Sequence, residues 1–505
     1  MTLFNQNAGN GYRLARLSPY VVSGYPMYAA IWEKTDGRSW VSEHRMTDAQ
    51  YRSLLAQHVS DGFRLRTVSG YVVDLAVPNV PASGVPVSEL GLFDDAMKRF
   101  VAQRNIPAAV ICVSRDGKIL LERAYGYQDR AQTVPLRPSA LFRIASVTKP
   151  ITEAAIRLLV SRGQLSLSAH AFDLGQTGGG ILHITPFGTP DTRLKDVTVQ
   201  HLLDHQGGWD RNKSGDPMFE SIMIANTLGV PSPPSQTDTV RYMMGRTLDF
   251  TPGTATAYSN FGYLLLGLII EQITGADYTA WVQQEMLNPQ GAAATEIQLG
   301  HSLPAQRNSR EPWYSDAHTD PSVFDPSTTV SSPDGGFYLE AMEAHGGLIS
   351  TARACSQFLR GYWINGFPRT GGSQDWTFFG SLPGTYALAR QRTDGVNIAV
   401  FMNQRADDDS YSFIKGVMDS VADSIVTWHV IDLQQIAAIR PIIQMDVSSG
   451  KLGIPTENGR LYQLQGTSDL VNWFNIGNPV VGDGTQLNLA FPTGAQRMFF
   501  RVGVE

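Results

Sequence analysis

The sequence predicts an α+β chain, with a central domain of mixed helices and strands between two small β-rich modules. Three observations carry that prediction. Apolar Phe93, Met97 and Phe100 recur at helical spacing over Leu92 to Gln103, and a hairpin pattern follows: Ala108 to Ser114, the turn pair Asp116-Gly117, then Ile119 to Tyr127. Near the N-terminus, Gly11-Tyr-Arg-Leu-Ala-Arg-Leu-Ser-Pro-Tyr-Val-Val returns as Gly62-Phe-Arg-Leu-Arg-Thr-Val-Ser-Gly-Tyr-Val-Val, the mark of a repeated supersecondary unit. Beyond Arg440, short alternating stretches at Leu461, Trp473, Leu487 and Met498 are separated by Gly, Asn and Asp. The resulting boundaries are 1–87, 88–435 and 436–505.

The first module reads as one full repeat unit and the start of another. Tyr28-Ala-Ala-Ile-Trp-Glu has the pattern of a strand and Asp36-Gly37 that of a turn. A helix from about Asp48 is opened by Thr47 and Gln50 as a capping box. This module is expected to be a structural cap. The Pro-rich stretch 77–87 reads as a linker. The stretch 301–336, rich in Pro, Ser, Asp and Thr, reads as a long loop and a candidate lid.

With 505 residues the chain is too long for one compact core, and 42% hydrophobic with 17% charged residues fits a globular protein. The net charge is -6 and no Lys/Arg-rich run occurs, which excludes a nucleic-acid surface. The longest apolar run, Phe261 to Ile273, is too short to span a membrane. Residues 1–10 contain neither a charged n-region nor an apolar h-region. Cys112 and Cys355 both lie in apolar patterns and read as two buried thiols rather than a disulfide; neither has metal-ligand spacing.

The chemistry concentrates at Ser146 and Lys149, in Phe142-Arg-Ile-Ala-Ser-Val-Thr-Lys. A serine hydroxyl is a weak nucleophile until a base takes its proton. Three residues make about one helical turn, so the Lys149 amine falls beside the Ser146 oxygen. Desolvation lowers a lysine pKa and makes the amine a base near neutral pH. An S-x-x-K alone is weak, since about one or two are expected by chance in a chain of this length. A second element gives it weight: Tyr258-Ser259-Asn260, in a loop feeding the apolar helix that Gly275 ends. A tyrosine beside the serine can carry a proton to a leaving group, and the Asn260 amide can orient the lysine and meet a substrate carbonyl.

These segments, taken in order with Ile106-Pro-Ala-Ala-Val, Val197-Thr-Val-Gln-His-Leu-Leu-Asp-His-Gln-Gly-Gly, Gly346-Gly-Leu-Ile-Ser-Thr-Ala and Gly380-Ser-Leu-Pro-Gly-Thr, resemble the serine β-lactamase / penicillin-binding-protein superfamily. The likeness is to its class C-like branch, which includes family VIII carboxylesterases, and it covers roughly residues 88 to 430. It implies a β-lactamase/DD-peptidase-like fold, with an antiparallel sheet flanked by helices and a helical subdomain. It implies Ser146 as acylated nucleophile, with Lys149 and Tyr258 as a coupled proton-handling pair in which either could be the base. The oxyanion hole would be the backbone N–H groups of Ser146 and Ser381. No cofactor and no metal are implied, and the partner is a small-molecule or peptide substrate.

One departure shapes the expected substrate. Lactamases of this family carry Lys-Thr-Gly where this chain reads Phe378-Phe379-Gly380. Two aromatics cannot pair with a carboxylate, and an unpaired buried carboxylate is costly. A neutral ester or internal amide is therefore expected, unless a cation such as Arg390 substitutes. Asn260, Phe378, Phe379, Gly380, Trp209 and His345 are the candidate substrate-binding residues. Core packing is the competing reading for Trp209, and a structural role for His345. His201 and His205 resemble structural positions of the family. No G-x-S-x-G surrounds Ser146, which argues against an α/β-hydrolase.

The expected activity is carboxylester hydrolysis, with an endopeptidase or aminopeptidase, or weak β-lactam hydrolysis, as alternatives. The non-enzyme alternative is an acylatable penicillin-binding-like sensor. The N-terminal repeat resembles the bacterial tandem units that precede the catalytic domain of polyglycine hydrolases. The C-terminal Gly466-Thr-Ser-Asp-Leu-Val-Asn-Trp resembles β modules of secreted bacterial enzymes, so a secreted or periplasmic location is expected.

Overall fold

The computed structural model describes residues 2–22, 25–42, 48–68, 77–405, 408–425, 428, 432–433, 444–446, 451–456, 461–467, 474–482, 485–490 and 499–504. The chain divides into two compact units, residues 1–117 with 121–429, and residues 118–120 with 430–505.

The larger unit opens with α1 (Thr2–Gly9), the antiparallel pair β1 (Tyr12–Val22) and β2 (Tyr25–Lys34), and α2 (Asp48–Ser60). The repeat is visible in how its helices end. Gly11 and Gly62 each lie just past a helix with φ near +79° and +89°, and each N–H donates to the carbonyl three residues back, at Ala8 and Val59. Glycine is the residue that takes this left-handed exit without strain. The unit thus runs helix, glycine, then the Arg-Leu segment, which forms a strand in the first copy; residues 63–68 of the second carry no strand. Thr47, the Gln50 side chain and residues 69–76 lie outside the described residues.

The stretch read as a linker is partly a strand. β3 (Ala82–Ser83) pairs antiparallel with β5 (Lys118–Gly126). Gly84 is pressed so close to Glu122 that a Cβ would lie 2.5 Å from its carbonyl oxygen. The helix α3 (Gly91–Gln103) and the hairpin β4 (Ala108–Arg115)–β5 stand where the periodicity puts them. Positive φ at Asp116 and Gly117 makes the tight turn that a two-residue hairpin needs.

Next come β6 (Phe142–Arg143), α4 (Thr148–Ser161), and a helical region of α5 (Val199–Leu203), α6 (Arg211–Ser214), α7 (Ser221–Leu228), α8 (Gln236–Met244), α9 (Asn260–Thr274) and α10 (Tyr278–Val282). α9 is apolar nearly all round and is the buried axis of this region, packing on α4 and α5. Then follow β7 (Ile297–Leu299), the pair β8 (Thr319–Pro321)–β9 (Thr329–Ser331), β10 (Leu348–Ser350) and α11 (Ala352–Gly361). The strands β11 (Trp376–Leu382), β12 (Thr385–Gln391) and β13 (Val396–Met402) lead to α12 (Asp408–Ser424).

The central sheet has the order β11-β12-β13-β4-β5-β3. Every residue of β12 and β13 is buried, so both sheet faces are covered; α11 packs on β13 and β4. β6, β10 and β7 form a separate small sheet, whose β6 packs beside β12 and β13. The stretch 301–336 is not a structureless loop. Buried Arg143 donates to the carbonyls of Pro333 and His301, both at 3.0 Å, and lies over the Tyr314 ring at 4.3 Å. Cys112 and Cys355 are buried free thiols.

The second unit is β-rich: β14 (Gln444–Asp446), β15 (Lys451–Pro455), β16 (Leu461–Thr467), β17 (Phe474–Val481), β18 (Gln486–Ala490) and β19 (Phe499–Val504). They form two three-stranded sheets, β14-β15-β18 and β17-β16-β19. Ile454, Tyr462 and Leu464 are its core, with Ile476, Leu487 and Leu489 against them.

Candidate active site

Within Leu141–Pro150, Ser146 is the one residue that is not buried. It sits on a single 3-10 turn, Ala145–Val147, that leads directly into α4. Ala145 holds a left-handed φ of +47°, a conformation that costs a non-glycine residue about 1 kcal/mol or more and that turns the chain sharply before the serine. Pro150 lies in the first turn of α4, where a missing N–H leaves no bond unmade. Tyr258 enters from the loop before α9, whose N-cap is Ser259.

The three groups meet. Tyr258 Oη donates to Ser146 Oγ at 2.8 Å, and Lys149 Nζ lies 3.1 Å from the same oxygen. Lys149 Nζ has two further partners, Asn260 Oδ1 at 2.7 Å and the His345 carbonyl at 2.8 Å. Both are pure acceptors. A neutral amine has two N–H bonds and one lone pair. In that neutral form the two hydrogens would go to Asn260 and His345, and the lone pair would face the Ser146 hydroxyl.

The electrostatics favour that state. Lys149 is fully buried, and burial holds its pKa well below that of free lysine; Asp216 opposes this and Arg211 adds to it. Burial pushes the Tyr258 phenol up to about 12, against the hydrogen bond to Ser146 and the nearby Arg211. Burial thus favours a neutral amine on Lys149 and keeps the Tyr258 phenol neutral near pH 7.

Asn260, expected to orient the lysine, does so through its Oδ1, and its Nδ2 donates to Asp216 Oδ2 at 2.7 Å. Gly380 lies on the edge strand β11, against the Ser146 turn. A Cβ there would fall 2.2 Å from the Ile144 carbonyl oxygen and 3.1 Å from the Ser146 nitrogen. Leu382 pairs with Thr385 across the two-residue turn Pro383-Gly384. Counting back from that closing pair, Ser381 takes a position whose N–H points away from β12, to the open edge.

Four expectations need correction. Trp209 does not line the cleft: it is 5% exposed and packs edge-on against Phe261 at 4.8 Å and Phe172 at 6.5 Å. Phe379 does not share the face of Gly380. Alternation along β11 puts Phe378 on the Ser146 side and Phe379 on the other, where its ring lies 6.4 Å from that of Tyr386. His345 contributes its carbonyl; its ring is buried, and burial holds its pKa well below the usual histidine value. Arg390 does not replace the missing lysine, because it is bound to Asp419 at 2.9 Å and to Asp375.

Sequence reasoning missed Asp216. Asp216 caps a 3-10 turn through Met218 N, and the guanidinium of Arg211 stands 4.8 Å over the Tyr258 ring. The signal was present in Trp209-Asp-Arg-Asn-Lys-Ser-Gly-Asp, whose polar residues follow a Gly-Gly turn. His205, 4.6 Å from Tyr258, accepts from Ser259 N and is held to a pKa of about 4, chiefly by burial, so its ring is neutral. Elsewhere among the described residues, Glu271, Asp277 and Glu343 bring carboxylate oxygens within 4.8 Å of one another. Gln236 donates to Glu343, and Tyr278 N to Glu271.

The family model described as Beta-lactamase matches residues 93–425, more than half of the chain. The chain belongs to the Beta-lactamase family, and its fold is the α+β fold of that family. A model described as polyglycine hydrolase-like structural repeat matches residues 1–35 and 37–77. The repeat therefore comprises two units, where self-similarity alone suggested one and the start of a second. Esterase EstB of Burkholderia gladioli is 32% identical over 208 residues, 40% of this chain and 48% of EstB. Protein flp of Staphylococcus aureus strain MW2 is 27% identical over 226 residues, 43% of this chain and 38% of flp. The chain thus spans about half or less of these curated relatives. An octameric penicillin-binding protein homologue from Pyrococcus abyssi superposes with a TM-score of 0.49 at 18% identity, over 82% of this chain and 95% of that one.

Proposed function

We propose that the chain is a serine hydrolase working through an acyl-enzyme on Ser146, and that it acts as a carboxylesterase on neutral esters. The observation that carries this reading is the Ser146 oxygen held between the Tyr258 hydroxyl at 2.8 Å and the Lys149 amine at 3.1 Å. Neutral Lys149 takes the Ser146 proton as Oγ attacks the ester carbonyl. The N–H groups of Ser146 and Ser381 stabilise the oxyanion, at about 3–4 kcal/mol each. As the C–O bond to the alcohol breaks, Tyr258 gives its proton to the leaving oxygen, and the Lys149 ammonium restores the phenol. Water then clears the acyl-serine and the cluster returns to its starting protonation.

The ester preference rests on two supports. EstB, the curated relative above, is an esterase by name. Phe378 puts an aromatic ring on the Ser146 side of β11, and Arg390 is held by its own carboxylates, so neither anchors an anion. A second reading, cleavage of internal Gly-rich peptides, is favoured by the N-terminal match to a polyglycine hydrolase-like repeat.

The test is a panel of p-nitrophenyl and alkyl esters, cephalosporins and glycine-rich peptides, run with the full chain and with Ser146→Ala. Ester turnover that Ser146→Ala lowers by at least about 10⁴-fold supports the proposal, a size in line with removal of a serine nucleophile. Peptide cleavage without ester turnover favours the second reading. Turnover unchanged in Ser146→Ala removes both.

A further inference from the structure

The segment between Trp209 and Asp216 remains without a part in the reaction, although it sends two charged groups to the site. Asp216 meets Asn260. Arg211 is exposed at the first position of α6, and its guanidinium carbon lies 4.8 Å from the centre of the Tyr258 ring. The cations around that phenol are Arg211 and, when protonated, Lys149, whose Nζ is 4.8 Å from the ring centre. The anion is Asp216, and the neighbouring His205 ring is neutral.

We propose that Arg211 is a positioning residue for catalysis, acting through Tyr258: its fixed charge over the ring favours the phenolate that forms when Tyr258 protonates the leaving alcohol. The inference rests on the reading of Tyr258 as that proton donor. In the step concerned, the Tyr258 O–H bond breaks as an O–H bond forms on the departing alkoxide. The phenolate exists until Lys149, carrying the former Ser146 proton, returns one. During that interval the ring bears a full negative charge beneath a guanidinium that cannot lose its own proton. A cation over an aromatic face is favourable already for the neutral ring, and the attraction grows when the ring becomes an anion. Burial works in the opposite sense by disfavouring the phenolate.

This role has a signature that a packing role lacks. Proton donation matters little for a leaving group as acidic as p-nitrophenol and greatly for an alkyl alcohol. Loss of Arg211 should therefore cost more as the leaving-alcohol pKa rises.

The experiment measures kcat/KM for one acyl group on a series of phenyl and alkyl alcohols, with the full chain, Arg211→Gln, Arg211→Lys and Tyr258→Phe. For Arg211→Gln the expected loss is smallest for p-nitrophenyl and grows to roughly 3- to 10-fold or more for alkyl esters, the scale of one cation–aromatic contact. Arg211→Lys should recover part of the steepened dependence, and Tyr258→Phe should steepen it further. A loss of equal size across the series, or no loss, overturns the role of Arg211 while Tyr258→Phe still steepens. If neither variant changes the slope, the assignment of Tyr258 as donor falls as well.

Discussion

At Ser146, the direction of each hydrogen bond decides the chemistry. The two carbonyl oxygens facing Lys149 set which way the lone pair of its neutral form points, and burial favours that neutral form. A guanidinium remains charged at any working pH, so Lys149→Arg is expected to lower kcat/KM by more than about 10³-fold, a loss to be read with p-nitrophenyl esters. The sign of the pH dependence follows from the two shifts. In the proposed mechanism Lys149 must be neutral, so kcat/KM is expected to rise with pH through a lysine pKa well below the 10.5 of a free lysine, and to fall only as pH nears the Tyr258 value of about 12. A profile of kcat/KM against pH with its acid limb near 10.5 would contradict the buried neutral amine.

At the scale of the element, β11 is the informative piece. It is an edge strand with Gly380 pressed on the Ser146 turn, and strand alternation assigns its two phenylalanines to opposite faces. The expected result is asymmetric. Phe378→Lys should raise kcat/KM for carboxylate-bearing substrates by about 10-fold, on the scale of one charge-assisted hydrogen bond. Phe379→Lys should give no such gain, because its side chain leaves the other face. Equal gains in a paired substrate assay would mean that the register of β11 is different. The motif order showed that this strand approaches the serine, but the facing of Phe378 and Phe379 depends on which residue abuts Ile144, and that is a contact across more than 200 residues of chain.

At the scale of the whole molecule, Arg143 ties distant segments together. It lies in β6, three residues before Ser146 and six before Lys149, and is fully buried against Pro333, His301 and Tyr314 of the 301–336 stretch. Its truncation would take the Arg143 donor from the His301 carbonyl, leave the Pro333 carbonyl to Arg307, and open a cavity. Arg143→Ala is expected to destabilise the larger unit by about 3–5 kcal/mol, measured by urea unfolding, and to raise proteolysis within 301–336. An unaltered unfolding midpoint would show that this stretch is held by other means.

The sequence by itself determined the elements with strong local periodicity and the chemistry written at short spacing. The hairpin β4–β5, the helices α3 and α9 and the Ser146–Lys149 pair are all local, so neighbouring residues specify them. Its repeat was legible through Gly11 and Gly62, where only glycine leaves a helix in that conformation without cost. Tertiary structure alone decided the rest. Ala82–Ser83 becomes a strand because β5 offers it an edge, Trp209 turns inward because Phe172 and Phe261 surround it, and Asp216 and Arg211 reach the site from a loop with no periodic signal. Pairing and burial join residues far apart in the chain, and the protonation of Lys149 and Tyr258 follows from what surrounds them in space.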